Sequence, residues 1–348
     1  MYGNMPAQPQ YYPAPGNAPA DPLQGIKYNE RRMIKKASNG VGFYLLAYFL
    51  LMQISAVIVY IVFDAANIKT KDPFFEYMFD IFLSVASPLI PALLYLLISR
   101  FRLGEAFKKT FVAPTVLIPL VFIGMGMAMV SNVAAQIFDD NISLFGLQNT
   151  VSMTNEYSLN TIETVIYVIA VSVVPALAEE FAFRGIVMGR LKKYGNAFAI
   201  IASAVLFGAM HGNTTQVIFA FILGLIFGYI DCVTDSIIPS VIVHFVNNFY
   251  AVVFDVLETN TGISETGLLI LQLAVVLIFC IGGLLSFIYL AGRDKSFFKL
   301  SSKDKSDDEY ADLLTFKEKL KSFFFTPGVI IALVMFFLTV LINLIPMS

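Results

Sequence analysis

The chain has 348 residues, of which 57% are hydrophobic and 14% are charged, and its mean hydropathy is +0.75. This composition excludes an ordinary soluble domain and is typical of a polytopic membrane protein. The net charge of −2 gives no basis for a nucleic-acid partner, and two cysteines are too few for a disulfide framework. We therefore expect an all-α, polytopic helix bundle in the cell membrane, with the lipid bilayer as its surroundings and about eight or nine spans.

Residues 1–38 are rich in Pro, Gln, Tyr and Ala and predict a disordered cytoplasmic tail. A basic cluster follows, and then the apolar run Val41–Phe63. This run is too long for a signal peptide and no small-residue cleavage site follows it, so it predicts an uncleaved first span. The membrane bundle is expected over residues 39–346.

Eight further apolar runs predict the remaining spans. Most of them approach the ~20 residues that cross ~30 Å of hydrocarbon as a helix, which gives nine candidate spans. The runs are Phe75–Ser99, Val116–Phe138, Ile162–Met188, Ala197–Gly212, Gln216–Val233, Ile237–Leu257, Leu268–Leu290 and Gly328–Pro346.

The charges of the loops predict the orientation of these spans. Basic clusters precede span one and follow spans two, four and eight, whereas the alternate loops are acidic. Positive charge marks the cytoplasmic side, so the N-terminus is expected inside and the C-terminus outside. Residues 293–326 are expected to be a charged, solvated cytoplasmic loop.

The fourth run contains the segment ALAEEFAFRG, with Glu179, Glu180 and Arg184. Three unpaired charges at mid-membrane would cost roughly 8–10 kcal/mol, so we expect compensation. Glu180 and Arg184 are spaced i,i+4 and can pair on one helix face. Glu179 is rotated by about 100° and has no such local partner, which makes it the functional candidate. The alternatives are that Arg184 bridges both glutamates, or that all three residues lie in the interface.

Both histidines of the chain lie in later spans. Phe207 and His211 share one helix face, and so do His244 and Asn248. Counted at 1.5 Å per residue from the expected cytoplasmic ends, the depths are roughly 20 Å for Glu179, 22 Å for His211, 12 Å for His244 and 18 Å for Asn248. We therefore expect these four side chains in one layer below the cytoplasmic surface.

Hydrolysis is the chemistry that suits this set. A carboxylate beside an imidazole can hold a water molecule and take its proton, and a second imidazole with an amide can donate to an oxyanion. No Ser or Cys is placed as a nucleophile. Glu179, His211 and His244 are also a zinc ligand set with one open position. The sequence therefore leaves two mechanisms open, one that requires no cofactor and one that uses Zn²⁺.

In chain order, these motifs resemble the three motifs of the CPBP (Abi) family, intramembrane proteases related to the type II CAAX prenyl endopeptidase. The resemblance covers residues 160–255, which would be the catalytic core. It implies that Glu179 and His211 activate water and that His244 and Asn248 form the oxyanion site. Glu180, Arg184 and Phe207 would be supporting residues.

The resulting hypothesis is an intramembrane endopeptidase that hydrolyses a peptide or a membrane-tethered protein. Two alternatives from other classes are a proton-coupled transporter, in which Glu179 and the histidines relay protons, and a non-catalytic immunity or binding protein. No clear internal repeat favours the transporter.

Overall fold

A computed structural model describes residues 22–65, 73–99, 101, 104, 110–149, 159–301 and 312–346. The elements are helices α1 (Pro22–Ala65), α2 (Pro73–Ser99), α3 (Pro114–Ser143), α4 (Thr161–Tyr194), α5 (Asn196–Ala209), α6 (Thr214–Thr234), α7 (Ile238–Asn260), α8 (Glu265–Arg293), α9 (Phe316–Phe324) and α10 (Pro327–Ile342), and strands β1 (Leu147–Asn149) and β2 (Leu344–Pro346). Strands β1 and β2 pair antiparallel, with Gln148 opposite Ile345.

The expected all-α membrane bundle is confirmed. In the described part of the chain, seven helices are long and apolar enough to cross a membrane, and the bent pair α9–α10 raises the number to eight. Large apolar side chains such as Leu97 and Ile98 are 78% and 84% exposed. Soluble proteins rarely expose extensive apolar surface, whereas lipid is a suitable solvent for it.

Among the nine candidate spans, α5 falls below the length of a full span. This helix has 14 residues, so it extends about 21 Å, less than the ~30 Å of a hydrocarbon core. It packs closely against α6. A Cβ added at Gly208 would lie 2.7 Å from the Val217 carbonyl oxygen, and one at Gly224 would lie 3.0 Å from Ala204. The glycines therefore permit the close approach of the two helices.

Helix α4 carries the candidate site residues Glu179, Glu180 and Arg184 and packs against several other helices. It contacts α2 on one side, α5 on another and α7 along its first half. The largest apolar core lies between α1, α4, α5 and α10, and a second core lies between α3, α6 and α7.

Polar contacts join the loops at each end of the bundle. At one end, Tyr194 donates to the Met33 carbonyl at 3.2 Å, and Lys319 donates to the Tyr194 carbonyl at 2.7 Å. At the other end, Asn343 donates to the Gly212 carbonyl at 2.9 Å, next to the β1–β2 pair. At each end, these contacts therefore join segments that the loop charges had predicted to lie on the same side of the membrane. Which end faces the cytoplasm stays a prediction.

Two expected boundaries differ from the structure. Residues 22–38 were expected in a disordered tail but form the start of α1, while residues 1–21 lie outside the described residues. A contact between distant parts of the chain stabilises this helical start. The buried Glu30 carboxylate accepts hydrogen bonds from the backbone N–H groups of Leu313 and Leu314 at 3.0–3.1 Å. The expected loop 293–326 contains α9, and its residues 302–311 lie outside the described part.

Candidate active site

Helix α4 departs from regular α-helical geometry on both sides of Glu179 and Glu180. Two π-helical segments, Ile169–Val173 and Phe181–Met188, enclose the α-helical turn Val174–Glu180 that carries both glutamates. Segments of π-helix are rare and often occur at functional sites.

Asn248 on α7 forms a hydrogen bond with the first of these π-helical segments. Pro175 has no N–H and therefore cannot donate to the Val171 carbonyl four residues earlier. The Asn248 side-chain nitrogen donates to this carbonyl at 3.2 Å, and its oxygen accepts from Asn247 Nδ2 at 3.2 Å. Asn248 thus connects α7 to the interrupted part of α4.

Glu180 and Arg184 form the expected i,i+4 ion pair. Arg184 Nε lies 3.1 Å from Glu180 Oε2, and the two side chains are 1% and 0% exposed. The N–H does not point at this oxygen, so the contact is an ion pair without a well-aligned hydrogen bond. The burial of Glu180 and Arg184 means that neither charge faces lipid or water. The described contacts of Arg184 with carboxylates involve Glu180 alone, so bridging of both glutamates is not observed.

Two aromatic rings complete the surroundings of the guanidinium. Arg184 Cζ lies 4.5 Å from the ring centroid of Phe207 and 5.2 Å from that of Phe227. A buried cation over aromatic faces gains electrostatic attraction without a hydrogen bond. The rings therefore stabilise a charge that would otherwise be costly in this position.

His244 connects the two glutamates. Its Nδ1 lies 3.0 Å from Glu180 Oε1, and its Nε2 lies 3.8 Å from Glu179 Oε2. The imidazole is 6% exposed and stacks on Phe227 with the centroids 5.2 Å apart. The Glu180 carboxylate accepts from Nδ1, which orients the ring so that Nε2 faces Glu179. Glu179 itself is 25% exposed, and it is the accessible carboxylate of the pair.

His211 lies on the other side of Phe207, with the ring centroids 4.9 Å apart. Its Nδ1 is 2.7 Å from the Phe207 carbonyl oxygen, so Nδ1 carries the proton of the neutral ring and Nε2 is left as an acceptor. No hydrogen bond or ion pair between His211 and Glu179 occurs in the described contacts. The structure thus brings Glu179, Glu180, Arg184, Phe207 and His244 together. It places His211 beside Phe207, and Asn248 against the first π-helical segment of α4.

The zinc alternative does not fit this arrangement. In the described ranges, no three His, Cys, Asp or Glu side chains come close enough together to hold a metal ion. Glu179, His211 and His244 therefore do not assemble as a ligand set in this structure.

Comparison with known proteins finds a family match for the part of the chain that contains the candidate site. Residues 161–250, which span α4 to the middle of α7, match the family model described as type II CAAX prenyl endopeptidase Rce1-like. The chain contains an Rce1-like domain. This confirms the resemblance to the CPBP family and identifies a multi-pass membrane protein with a protease-type domain. No curated protein and no solved structure matches the chain.

The Rce1-like domain includes one aromatic residue that sequence reasoning missed. Phe227 contacts both Arg184 and His244. Two local signals could have indicated this role: the buried Asp231 at i,i+4 on the same helix face, and the neighbouring pair Gly224 and Gly228, which indicates close helix packing.

Proposed function

We propose that the chain is an intramembrane endopeptidase of the cell membrane that hydrolyses a peptide or a membrane-tethered protein by activating water with Glu179 and His211. One observation carries this proposal. Inside a membrane helix, a half-buried carboxylate faces the imidazole of His244, which a second, fully buried carboxylate orients at 3.0 Å. Such groups are costly in lipid and mark functional sites.

Glu179 is the base of the proposed reaction. Its carboxylate takes a proton from a water molecule, and the water oxygen forms a bond to the carbon of the scissile carbonyl. His211 supports this step because its Nε2 is free to accept the second hydrogen of the water. The proton on Glu179 is then transferred to the leaving nitrogen as the C–N bond breaks.

His244 is the proposed donor to the developing oxyanion. With both ring nitrogens protonated, Nδ1–H donates to Glu180 and Nε2–H is directed toward the space beside Glu179. In this arrangement the ring faces a carboxylate on each side, Glu180 at Nδ1 and Glu179 at Nε2.

Asn248 has a positioning role in this scheme. One of its N–H bonds is directed to the Val171 carbonyl at 3.2 Å, which leaves the second N–H for the oxyanion. Through the first bond it fixes α7, and therefore His244, against the segment that carries Glu179.

The substrate is proposed to reach the site from the cytoplasmic side. This follows from the predicted orientation and from the expected depth of Glu179, and it suits a peptide bond close to a membrane anchor.

Incubation of the purified protein with a peptide library, with and without a chelator, tests the proposal. We expect cleavage products by mass spectrometry with and without chelator, and none from Glu179→Gln. Glu258→Gln is the matched control, because it makes the same chemical change at an exposed position on α7. Equal cleavage by wild type and Glu179→Gln would refute the proposal, and loss of cleavage with the chelator would refute the metal-free mechanism.

A further inference from the structure

A cleft separates the N-terminal half of α1 from α9, at the end of the bundle predicted to be cytoplasmic. It has a volume of about 350 Å³ and is called the α1–α9 cleft below. Its lining residues are Arg31, Lys35, Glu318, Lys321, Ser322 and Phe325.

The α1–α9 cleft carries an excess of positive charge. Three of its lining residues are cations and one is an anion. The carboxylate of Glu318 pairs with Arg31 at 3.3 Å. Among the described residues, no carboxylate lies within ion-pair distance of Lys35 or Lys321, and both side chains are exposed. The cleft therefore presents two ammonium groups that can be directed to one anion.

The position of α9 places the cleft at the level of the membrane surface. Helix α10, which is almost entirely apolar, follows α9 after a bend of 71°. With α10 directed into the membrane, this bend would set α9 closer to the membrane plane than to its normal. Helix α9 is amphipathic, with Ser322 and Phe323 buried and Lys321 exposed. Phe325, at the bend, is 67% exposed. Cations beside an exposed aromatic ring are typical of helices at the bilayer interface.

We propose that the α1–α9 cleft binds the headgroup of an anionic phospholipid from the adjacent leaflet. The phosphate oxygens would accept from Lys35 and Lys321, and Phe325 would pack beside the upper part of an acyl chain. Charge complementarity selects an anionic lipid, because the choline of a zwitterionic lipid would bring a third ammonium group into the cleft. The predicted cytoplasmic side is also the side on which anionic lipids attract basic residues.

The test uses the full-length protein in a neutral detergent, titrated with phosphatidylglycerol or with phosphatidylcholine of the same acyl chains. Native mass spectrometry measures the bound lipid. We expect wild type to prefer phosphatidylglycerol, and the double variant Lys35→Gln/Lys321→Gln to bind it about tenfold more weakly or worse. Phosphatidylcholine binding should not change between the two proteins.

The matched control is Arg32→Gln/Lys36→Gln, which removes two exposed cations of α1 that are neighbours of the cleft residues in sequence but do not line the cleft. It should retain the preference. An equal loss in this control would overturn the proposal in favour of diffuse surface charge, and no lipid preference in wild type would overturn it outright. Inorganic phosphate should not displace the lipid, so complete displacement would assign the cleft to a free anion. Peptide cleavage is not part of this measurement, so the result is independent of the proposed protease function.

Discussion

Neutralising Glu180 by substitution with Gln tests whether the charges inside α4 depend on one another. The substitution keeps the shape of a side chain that is 0% exposed but removes its charge. Two groups lose their anionic partner: Arg184 Nε at 3.1 Å and His244 Nδ1 at 3.0 Å. The guanidinium stays buried in this variant, and the described ion pairs give it no second carboxylate.

The structure allows the loss of stability to be worked out. Removing one partner of a buried ion pair costs about 3–5 kcal/mol, and we expect the low end for Glu180→Gln because Arg184 keeps its two aromatic contacts. Arg184→Met loses both the pair and the cation–π contacts, which are worth about 2 kcal/mol when desolvated, so it should cost about 5 kcal/mol. The double variant should lose no more than Arg184→Met alone. The coupling free energy is then about 3 kcal/mol.

The assay is the free energy of unfolding of the four proteins in a mild detergent titrated with sodium dodecyl sulfate, followed by circular dichroism. The double-mutant cycle gives the coupling directly. If the two single losses simply add in the double variant, the side chains do not interact, and the argument for a compensated charge cluster in α4 is refuted.

Three further predictions use the same unfolding measurement. Asp231→Asn should increase stability by about 1 kcal/mol or more, because Asp231 is 2% exposed and the substitution removes the cost of burying a carboxylate; a loss of stability would contradict this. Asn248→Ala should cost about 1–3 kcal/mol, because the Val171 carbonyl loses its side-chain donor. Adding Pro175→Ala should recover part of this loss by restoring a backbone N–H, and no recovery would contradict the role given to Asn248. Gly208→Ala should cost about 1–3 kcal/mol, because its Cβ would meet a carbonyl oxygen of α6 at 2.7 Å, and unchanged stability would show that the two helices separate easily.

Local helical geometry was sufficient to predict part of the site. The i,i+4 spacing of Glu180 and Arg184 predicts their ion pair, which the structure contains at 3.1 Å. The separate position of Glu179 was also predicted, since rotation by about 100° per residue moves it away from Arg184. Counting residues along each span placed His244 near the same depth, and it contacts Glu179 at 3.8 Å.

Contacts between distant parts of the chain could not be predicted in this way. His244 lies 64 residues from Glu180, and only the packing of α7 against α4 shows that one imidazole faces both glutamates. The bond from Asn248 to Val171 depends on the π-helical break, and the apolar pattern of the fourth run does not reveal that break.

The same limitation applies to the fold. The hydropathy pattern predicted the long helices and placed the fifth run at Ala197–Gly212, close to the observed Asn196–Ala209, but an apolar run alone does not show whether so short a helix is a full span. The start of α1 at Pro22 depends on the burial of Glu30 under backbone donors that lie 283 residues further along the chain. Composition alone therefore assigned these residues to a tail.

The central claim is that Glu179 activates the water that hydrolyses the peptide bond, and steady-state kinetics of the Glu179→Gln variant on a cleaved peptide test it most directly. Glutamine preserves the size of the side chain but cannot take a proton. The account predicts that kcat falls by about a hundredfold or more while KM stays nearly constant, because a general base contributes to the transition state and not to substrate binding. A kcat equal to that of the wild type and of Glu258→Gln, or a change confined to KM, would contradict it.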